Sequence, residues 1–270
     1  MLQSLQNMVK PTKTPGDVLA HAFKRVSLGI GFTALLLPTV AYVFGRISWL
    51  RPGEVQNSLS HFYYTPVMGD FFVGCLFFIG ILFFFFFHTG GKPVPGWENV
   101  HGFESLLMRL AGILAIGIAI FPTGYPGTED LRGEQMRPFF EFGTQGPIVS
   151  PDWARLELGR FVIEYHYVCA VLMFFILAYF TLRVFPRTQA VASLTLEGTF
   201  QPSKQRRNAW YRRLGLTIAA SIVGIGAGKL LLSEETWNDW NGTFYFEWLA
   251  LAAFGIAWLI KGRWFTGLND

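Results

Sequence analysis

Six ionisable side chains lie in or beside the apolar stretches of this sequence. They are, in chain order, His61, Asp70, Glu164, His166, Lys229 and Glu247. A charged group costs roughly 2.5–3.5 kcal/mol at the centre of a membrane helix and less near the interface. Such groups therefore face a bundle interior or a watery cavity, where they can hold a ligand. These residues are the candidate functional groups of the chain.

Three of these residues have the chemistry of a metal site. Asp70, His166 and Glu247 offer two carboxylates and an imidazole, and His166 shares a helix face with Cys169 three residues on. The close-spaced pairs of known sites, such as His-x-x-x-His and Cys-x-x-Cys, are absent from the sequence. A metal held by Asp70, His166 and Glu247 is thus one unspecific hypothesis, and the sequence leaves the cofactor unknown.

The same side chains also have structural interpretations. Glu164 follows Arg160 by four residues, so the two could pair on one helix face. Lys229 and Glu247 flank a short hairpin and could neutralise each other. His166 could be an ordinary buried histidine with satisfied hydrogen bonds. The sequence leaves these alternatives open.

The composition identifies the elements that must position these groups. Only 15% of the 270 residues are charged, 17% are aromatic and the mean hydropathy is +0.35. Soluble domains carry about 25% charged residues. Six apolar stretches are long enough to cross a bilayer, and they predict an all-α polytopic membrane bundle of six transmembrane helices. These stretches run roughly over Leu28–Ile47, Pro66–Phe87, Leu106–Phe121, Phe161–Val184, Leu214–Leu232 and Phe244–Ile260.

The basic residues predict the orientation. Placing both termini in the cytoplasm puts most Lys and Arg residues on the inner side, as the positive-inside rule requires. The basic run before the fifth span then binds anionic lipid headgroups rather than nucleic acid. It comprises Lys204, Arg206, Arg207, Arg212 and Arg213. We expect a multi-pass protein of the inner membrane.

This orientation places the ionisable groups at one depth. The second, fourth and sixth helices start outside, so Asp70, Glu164 and Glu247 lie about one turn below the outer surface. His166 lies half a turn below Glu164, and Lys229 lies near the outer end of the fifth helix. Three more residues, Ser60, His61 and Tyr63, precede the second helix. We therefore predict a polar chamber open to the outer side. It would bind or pass a small ligand, an ion or a lipid headgroup.

The chain divides into three predicted parts. Residues 1–27 form a polar segment with a possible interfacial helix. Residues 28–262 form the transmembrane domain, whose long outer loop covers 122–160, and residues 263–270 form a tail. Small residues at every fourth position of the third and fifth spans predict packing within the chain more than dimerisation. They are Ala111, Ala115 and Ala119, and Ala220, Gly224 and Gly228.

One segment resembles a family pattern. Ser58-Leu-Ser-His-Phe-Tyr-Tyr-Thr-Pro, followed by Asp70 and Phe72-Val-Gly74, is similar to uncharacterised bacterial multi-pass membrane proteins. Their Ser-x-Ser-x-Tyr-Tyr-Thr run leads into Arg-Asp-x-Phe-Val-Gly, and Gly69 stands here where that pattern has Arg. The resemblance extends in order over about Leu28 to Gly262. It implies a six-helix architecture and assigns no reaction.

A looser similarity concerns the alkaline ceramidase and progestin-adipoQ receptor superfamily of membrane metal hydrolases. Ser58, His61 and Asp70 resemble the first part of its motif, while the final histidine pair is missing and we count six helices instead of seven. It implies an alternative function as an intramembrane metal-dependent lipid hydrolase. A third alternative is a structural subunit of a membrane complex or homo-oligomer. Whether the protein is an enzyme stays open.

Overall fold

The computed structural model describes residues 15–46, 56–64, 67–86, 102–121, 123, 154–158, 161–187 and 193–269. Most of the predicted outer loop 122–160, including Arg160, and the N-terminal residues 1–14 lie outside this part. The described elements are α1 (Pro15–Gly45), a 3-10 helix (Leu59–Tyr64), α2 (Met68–Phe86), α3 (Gly102–Ile120), β1 (Arg155–Leu158), β2 (Phe161–Glu164), α4 (Tyr165–Tyr179) with a π-helical turn (Phe180–Val184), α5 (Pro202–Leu231), α6 (Glu234–Asp239), α7 (Gly242–Lys261) and a 3-10 turn (Thr266–Leu268).

Six of these helices are long and apolar enough to span a membrane. The candidate spans are His21–Gly45, Met68–Phe86, Gly102–Ile120, Tyr165–Val184, Pro202–Leu231 and Gly242–Lys261. Each covers one predicted stretch, so the all-α polytopic fold is confirmed. The chain is a multi-pass integral membrane protein. Its outward side chains are largely apolar, as those of a bundle in hydrocarbon are, with Phe78, Phe85 and Val223 among the exposed ones.

The spanning helices pack side by side in the order α1, α2, α3, α4, α5 and α7, and α7 closes the ring against α1. Aromatic side chains fill the middle. Trp258 of α7 lies fully buried, with its ring centroid 5.8 Å from that of Phe83 and 5.1 Å from that of Phe185. Large rings from α2, from α7 and from the residue that follows the π-helical turn of α4 thus pack against one another in the core.

Small residues set the closest helix contact. A Cβ atom added to Gly80 of α2 would lie 2.8 Å from the carbonyl oxygen of Gly112 in α3, and one added to Gly112 would lie 2.6 Å from that of Gly80. Ala111 and Ala115 of α3 are buried as well. The small face of the third span is therefore an internal packing surface, as the four-residue spacing predicts.

The start of the fourth span differs from the prediction. Residues Phe161–Glu164 form a strand that pairs antiparallel with Arg155–Leu158, and α4 begins only at Tyr165. Three apolar residues followed by a glutamate fit a strand as well as a helix, and the hairpin partner decides between them. Glu164 is consequently the N-cap residue of α4 rather than a group inside the helix.

Two other helices are longer than the apolar stretches that predict them. α1 runs without a break through the predicted interfacial segment, and α5 starts at Pro202, twelve residues before Leu214. A helix of thirty residues is about 45 Å long, whereas the hydrocarbon core is about 30 Å thick. About the first third of α5 therefore extends beyond the apolar layer.

The two ends of the bundle differ in chemistry. We call one the cavity end, formed where α1, α3 and α5 finish and where α2, α4 and α7 begin. We call the other the basic end. There Lys204 donates to the carbonyl oxygens of Phe185 and Arg187 at 3.1 and 3.0 Å, and Arg187 pairs with the buried carboxylate of Glu104.

Candidate functional site at the cavity end

The 3-10 helix Leu59–Tyr64 is tied to α7 by a carboxylate. Both oxygens of Glu247 accept hydrogen bonds from the Ser58 hydroxyl, at 3.1 and 2.9 Å, and one also accepts from the Leu59 amide at 2.8 Å. A helix start leaves backbone N–H groups without partners, and an acidic side chain stabilises that end. Glu247 therefore caps a short helix that lies 188 residues earlier in the chain.

The same 3-10 helix is tied to α4 by a histidine. The Oγ atom of Ser60 lies 2.7 Å from Nε2 of His166, and Nδ1 of His166 lies 2.9 Å from the carbonyl oxygen of Phe121. A carbonyl only accepts, so Nδ1 carries the proton and the neutral ring accepts the Ser60 hydroxyl at Nε2. His166 is 1% exposed, and the interpretation as a satisfied buried histidine fits this geometry.

Glu164 and Tyr167 meet at Thr123. The Thr123 hydroxyl lies 3.1 Å from Oε2 of Glu164 and 2.8 Å from the phenol oxygen of Tyr167. Thr123 is 1% exposed. Thr123 therefore connects the segment after α3 to the start of α4, through hydrogen bonds to Glu164 and Tyr167.

A cavity of about 400 Å³ opens beside these networks. Its wall comes from the residues before and within the 3-10 helix, from α4, α5 and α6, and from the start of α7. The lining residues are Asn57, Ser58, His61, Tyr167, Lys229, Glu234, Trp237, Asn238 and Thr243. Nearly every one carries a hydrogen-bonding or charged group, so the cavity suits a polar ligand.

Lys229 is the cation of this cavity. Its ammonium lies 5.1 Å from the centroid of the Tyr167 ring, and the residue is exposed. Within the described part of the chain, Lys229 forms no ion pair, and Glu247 bonds to the 3-10 helix instead. The pairing of Lys229 with Glu247 that the hairpin suggests is therefore not formed.

His61 is a buried titratable group outside the spans. The pKa of His61 is lowered from 6.5 to about 4, chiefly by burial and further by the charge of Lys229 and by the nearby His166. A histidine at 9% exposure beside an ammonium is disfavoured as a second cation. His61 is consequently neutral at pH 7, and Lys229 dominates the positive charge of the cavity.

Trp237 of α6 forms one wall. Its indole N–H donates to the Thr243 hydroxyl at 2.8 Å, and its ring stacks on that of Phe246 at 5.9 Å. Gly228 and Gly242 make room for it, since a Cβ at Gly228 would lie 1.8 Å from the ring. Gly224 likewise lies against the ring of Phe246. Two of the three small residues of the fifth span, Gly224 and Gly228, thus pack against aromatic rings, whereas Ala220 is exposed.

Most of the sequence-predicted site residues converge on the cavity end. His61 and Lys229 line the cavity, and Ser60, Glu164, His166 and Glu247 form the networks beside it. Tyr63 is buried in the core next to them.

Asp70 differs from the other members of the predicted set. It is exposed in the first turn of α2, where an acid suits the helix dipole. Across the described residues, no group of three His, Cys, Asp or Glu side chains is arranged to hold a metal. Within that part of the chain, Asp70 does not join His166 and Glu247 in such a group.

Sequence reasoning missed the wall supplied by α6. Trp237 and Asn238 lie on a helix of six residues, too short to produce a periodic apolar pattern. One local signal was present. Ser233 precedes Glu234 and Glu235, and its hydroxyl accepts the Thr236 amide at 3.2 Å, which is a helix N-cap.

Comparisons with known proteins return nothing for this chain. No family model, no curated protein and no solved structure matches it. The family resemblances drawn from the Ser58–Asp70 region stay predictions, and the geometry of the cavity end carries the functional argument.

Proposed function

We propose that this membrane protein binds a small polar ligand with an anionic group in the cavity at the cavity end. The observation that carries the proposal is Lys229, an exposed ammonium that lines the cavity and forms no ion pair with any described residue. A cation beside a desolvated wall attracts an anion more strongly than one in open water.

The wall supports the same ligand class. Neutral His61 and the polar side chains of Asn57, Asn238 and Thr243 can donate or accept hydrogen bonds to the uncharged part of a ligand. Glu234 lines the cavity as well and would contact a hydroxyl or ammonium group on the same molecule. A volume of about 400 Å³ lies within the usual range of small-molecule sites.

The orientation belongs to the proposal. Lys24, Arg25, Arg183 and Arg206 lie exposed at the basic end, which supports placing that end in the cytoplasm. The cavity end then opens on the outer face of the inner membrane. A ligand would reach Lys229 from that side, as a solute or as the headgroup of an outer-leaflet lipid.

Thermal unfolding of the purified full chain tests this function. We expect glycerol phosphate or glycerophosphoethanolamine to raise the melting temperature, and Lys229→Gln to remove the shift. Lys24→Gln is the matched control, because Lys24 is an exposed lysine at the other end of the bundle. The proposal is overturned if Lys229→Gln and the unchanged protein bind these anions equally, or if neither anion binds.

A second candidate function rests on the Ser60–His166 contact. A serine hydroxyl 2.7 Å from Nε2, with Nδ1 held by a carbonyl, has the arrangement of a nucleophile and its general base. Ser60 Oγ would attack an ester carbonyl, and its proton would pass through His166 to the leaving alcohol. Water would then hydrolyse the acyl-enzyme. Ser60 is only 6% exposed and therefore poorly accessible to an ester substrate. Ligand binding at Lys229 is for this reason the function that we favour.

A reactive phosphonate separates the two candidates. Covalent labelling of the native protein that disappears in Ser60→Ala would favour acyl transfer. An unlabelled native protein would reject it, and the anion shifts at Lys229 would be unaffected by that result.

A further inference from the structure

The five basic residues before the fifth span do not act as one surface. Lys204 and Arg207 are 5% and 2% exposed. Lys204 bonds to carbonyl oxygens after α4, and Arg207 donates to the Leu268 carbonyl and lies 3.5 Å from the Ser193 hydroxyl. These two side chains therefore hold the basic end together from inside, whereas Arg206, Arg212 and Arg213 are exposed.

Two of the exposed arginines share a helix face with a tryptophan. Positions 206, 210 and 213 fall within about 60° of one another at 100° per residue. The Arg213 guanidinium lies 5.6 Å from the centroid of the Trp210 ring, and 43% of Trp210 is exposed. We call Arg206, Trp210 and Arg213 the arginine face.

The charge of the arginine face is not balanced by neighbouring acids. α5 contains no acidic residue in thirty positions. Within the described part of the chain, neither Arg206 nor Arg213 takes part in an ion pair, and neither does Glu197 in the preceding turn. An external anion would balance the charge of these two arginines.

The position of the face along α5 indicates which anion. Leu216 and Val223 continue the exposed side of the helix and are apolar, at 62% and 65% exposure. The arginine face therefore sits where the apolar surface of the bundle ends. Tryptophan and arginine are the side chains favoured at that level, beside lipid phosphates.

We propose that Arg206, Trp210 and Arg213 form a binding site for the phosphate headgroup of an anionic phospholipid. The guanidiniums contact the phosphate, the indole ring covers the glycerol region, and the acyl chains run along Leu216 and Val223. This site is separate from the cavity, which lies at the opposite end of the bundle.

Native mass spectrometry of the purified full chain tests the site. We expect phosphatidylglycerol to bind more tightly than phosphatidylcholine, and Arg206→Gln with Arg213→Gln to weaken the phosphatidylglycerol affinity about 25-fold, at about fivefold for each charge. Arg46→Gln is the matched control, because Arg46 is an exposed arginine 5.2 Å from the Tyr42 ring at the other end.

Three outcomes would overturn the proposal. The double variant could keep the affinity of the unchanged protein, Arg46→Gln could lose as much, or inorganic phosphate could displace phosphatidylglycerol at equal concentration. The last result would assign the site to free phosphate instead of a lipid. A size-exclusion profile checks that the double variant is folded.

Discussion

Ser60 and His166 lie 106 residues apart in sequence, and their side chains meet at 2.7 Å below the surface of the cavity end. The contact joins a 3-10 helix to a spanning helix. Because His166 also bonds to the Phe121 carbonyl, one imidazole connects three segments of the chain. The stability of the cavity end should therefore depend on it.

Replacing His166 by Ala should destabilise the protein by about 1–3 kcal/mol, because a buried hydroxyl and a buried carbonyl lose their partner. Thermal unfolding in detergent measures the change. His21→Ala removes an exposed histidine of α1 and should change stability by less than about 0.5 kcal/mol. Equal effects of the two substitutions would contradict the structural role of His166.

The Glu247 contact is best measured as a double-mutant cycle. Glu247→Ala and Ser58→Ala should each destabilise, and their coupling should be about 1.5–3 kcal/mol, the range for a hydrogen bond to a charged group. Glu235→Ala is the control, since Glu235 is exposed on α6. A coupling near zero would mean that Glu247 does not hold the 3-10 helix.

His61 should make stability depend on pH. Its pKa is about 4 in the folded protein against 6.5 in the unfolded chain, so between these values the unfolded state binds more protons. Stability then falls as the pH falls, by about 2 kcal/mol from pH 7 to pH 5. His61→Gln should remove this part of the pH dependence. An identical pH profile in that variant would contradict the assignment.

Two glycines of α5 give a matched pair. Gly228→Ala places a methyl group 1.8 Å from the Trp237 ring, so α6 must move and stability should fall by about 1–3 kcal/mol. Gly226→Ala meets nothing within 4 Å and should be neutral or stabilising by up to about 1 kcal/mol. Anion binding at Lys229 should weaken only in Gly228→Ala. The opposite order would refute the packing of Trp237 against α5.

The proposed orientation predicts which end a membrane-impermeant thiol reagent reaches. In a background with Cys75→Ser and Cys169→Ser, a cysteine at position 235 should be labelled in spheroplasts, and one at position 266 only after lysis. Both Glu235 and Thr266 are exposed, at opposite ends of the bundle. The reverse pattern would place the cavity in the cytoplasm.

The spanning helices are predictable because hydrocarbon imposes their length and composition on each stretch separately. The same argument finds His166, Lys229 and Glu247, because a charge or imidazole inside an apolar run is costly unless it faces protein or water. The cost of a buried charge does not predict the direction in which a side chain points. Asp70 has the right depth, but near a helix start no penalty fixes the side it faces, and the structure exposes it.

The hydrogen-bond and packing partners of the site residues could not be predicted from the sequence, because no local pattern identifies them. Ser58 is small, uncharged and 189 residues from Glu247, so no local spacing links them. The sequence does not predict which surface Trp237 packs against. The structure shows that Gly228 and Gly242 lie against its ring. Phe161–Glu164 fits two periodicities, and only its pairing with Arg155–Leu158 makes it a strand.

The distance in sequence between Ser58 and Glu247 has a consequence for biosynthesis. The ribosome synthesises the 3-10 helix long before α7. The Ser58 hydroxyl and the Leu59 amide therefore lack the Glu247 carboxylate as their acceptor until the last spanning helix enters the membrane. Insertion of the earlier spans alone cannot complete the hydrogen bonds that hold the 3-10 helix at the cavity end. A nascent chain halted before Glu247 should thus expose residues 56–64 to protease, and the completed chain should protect them.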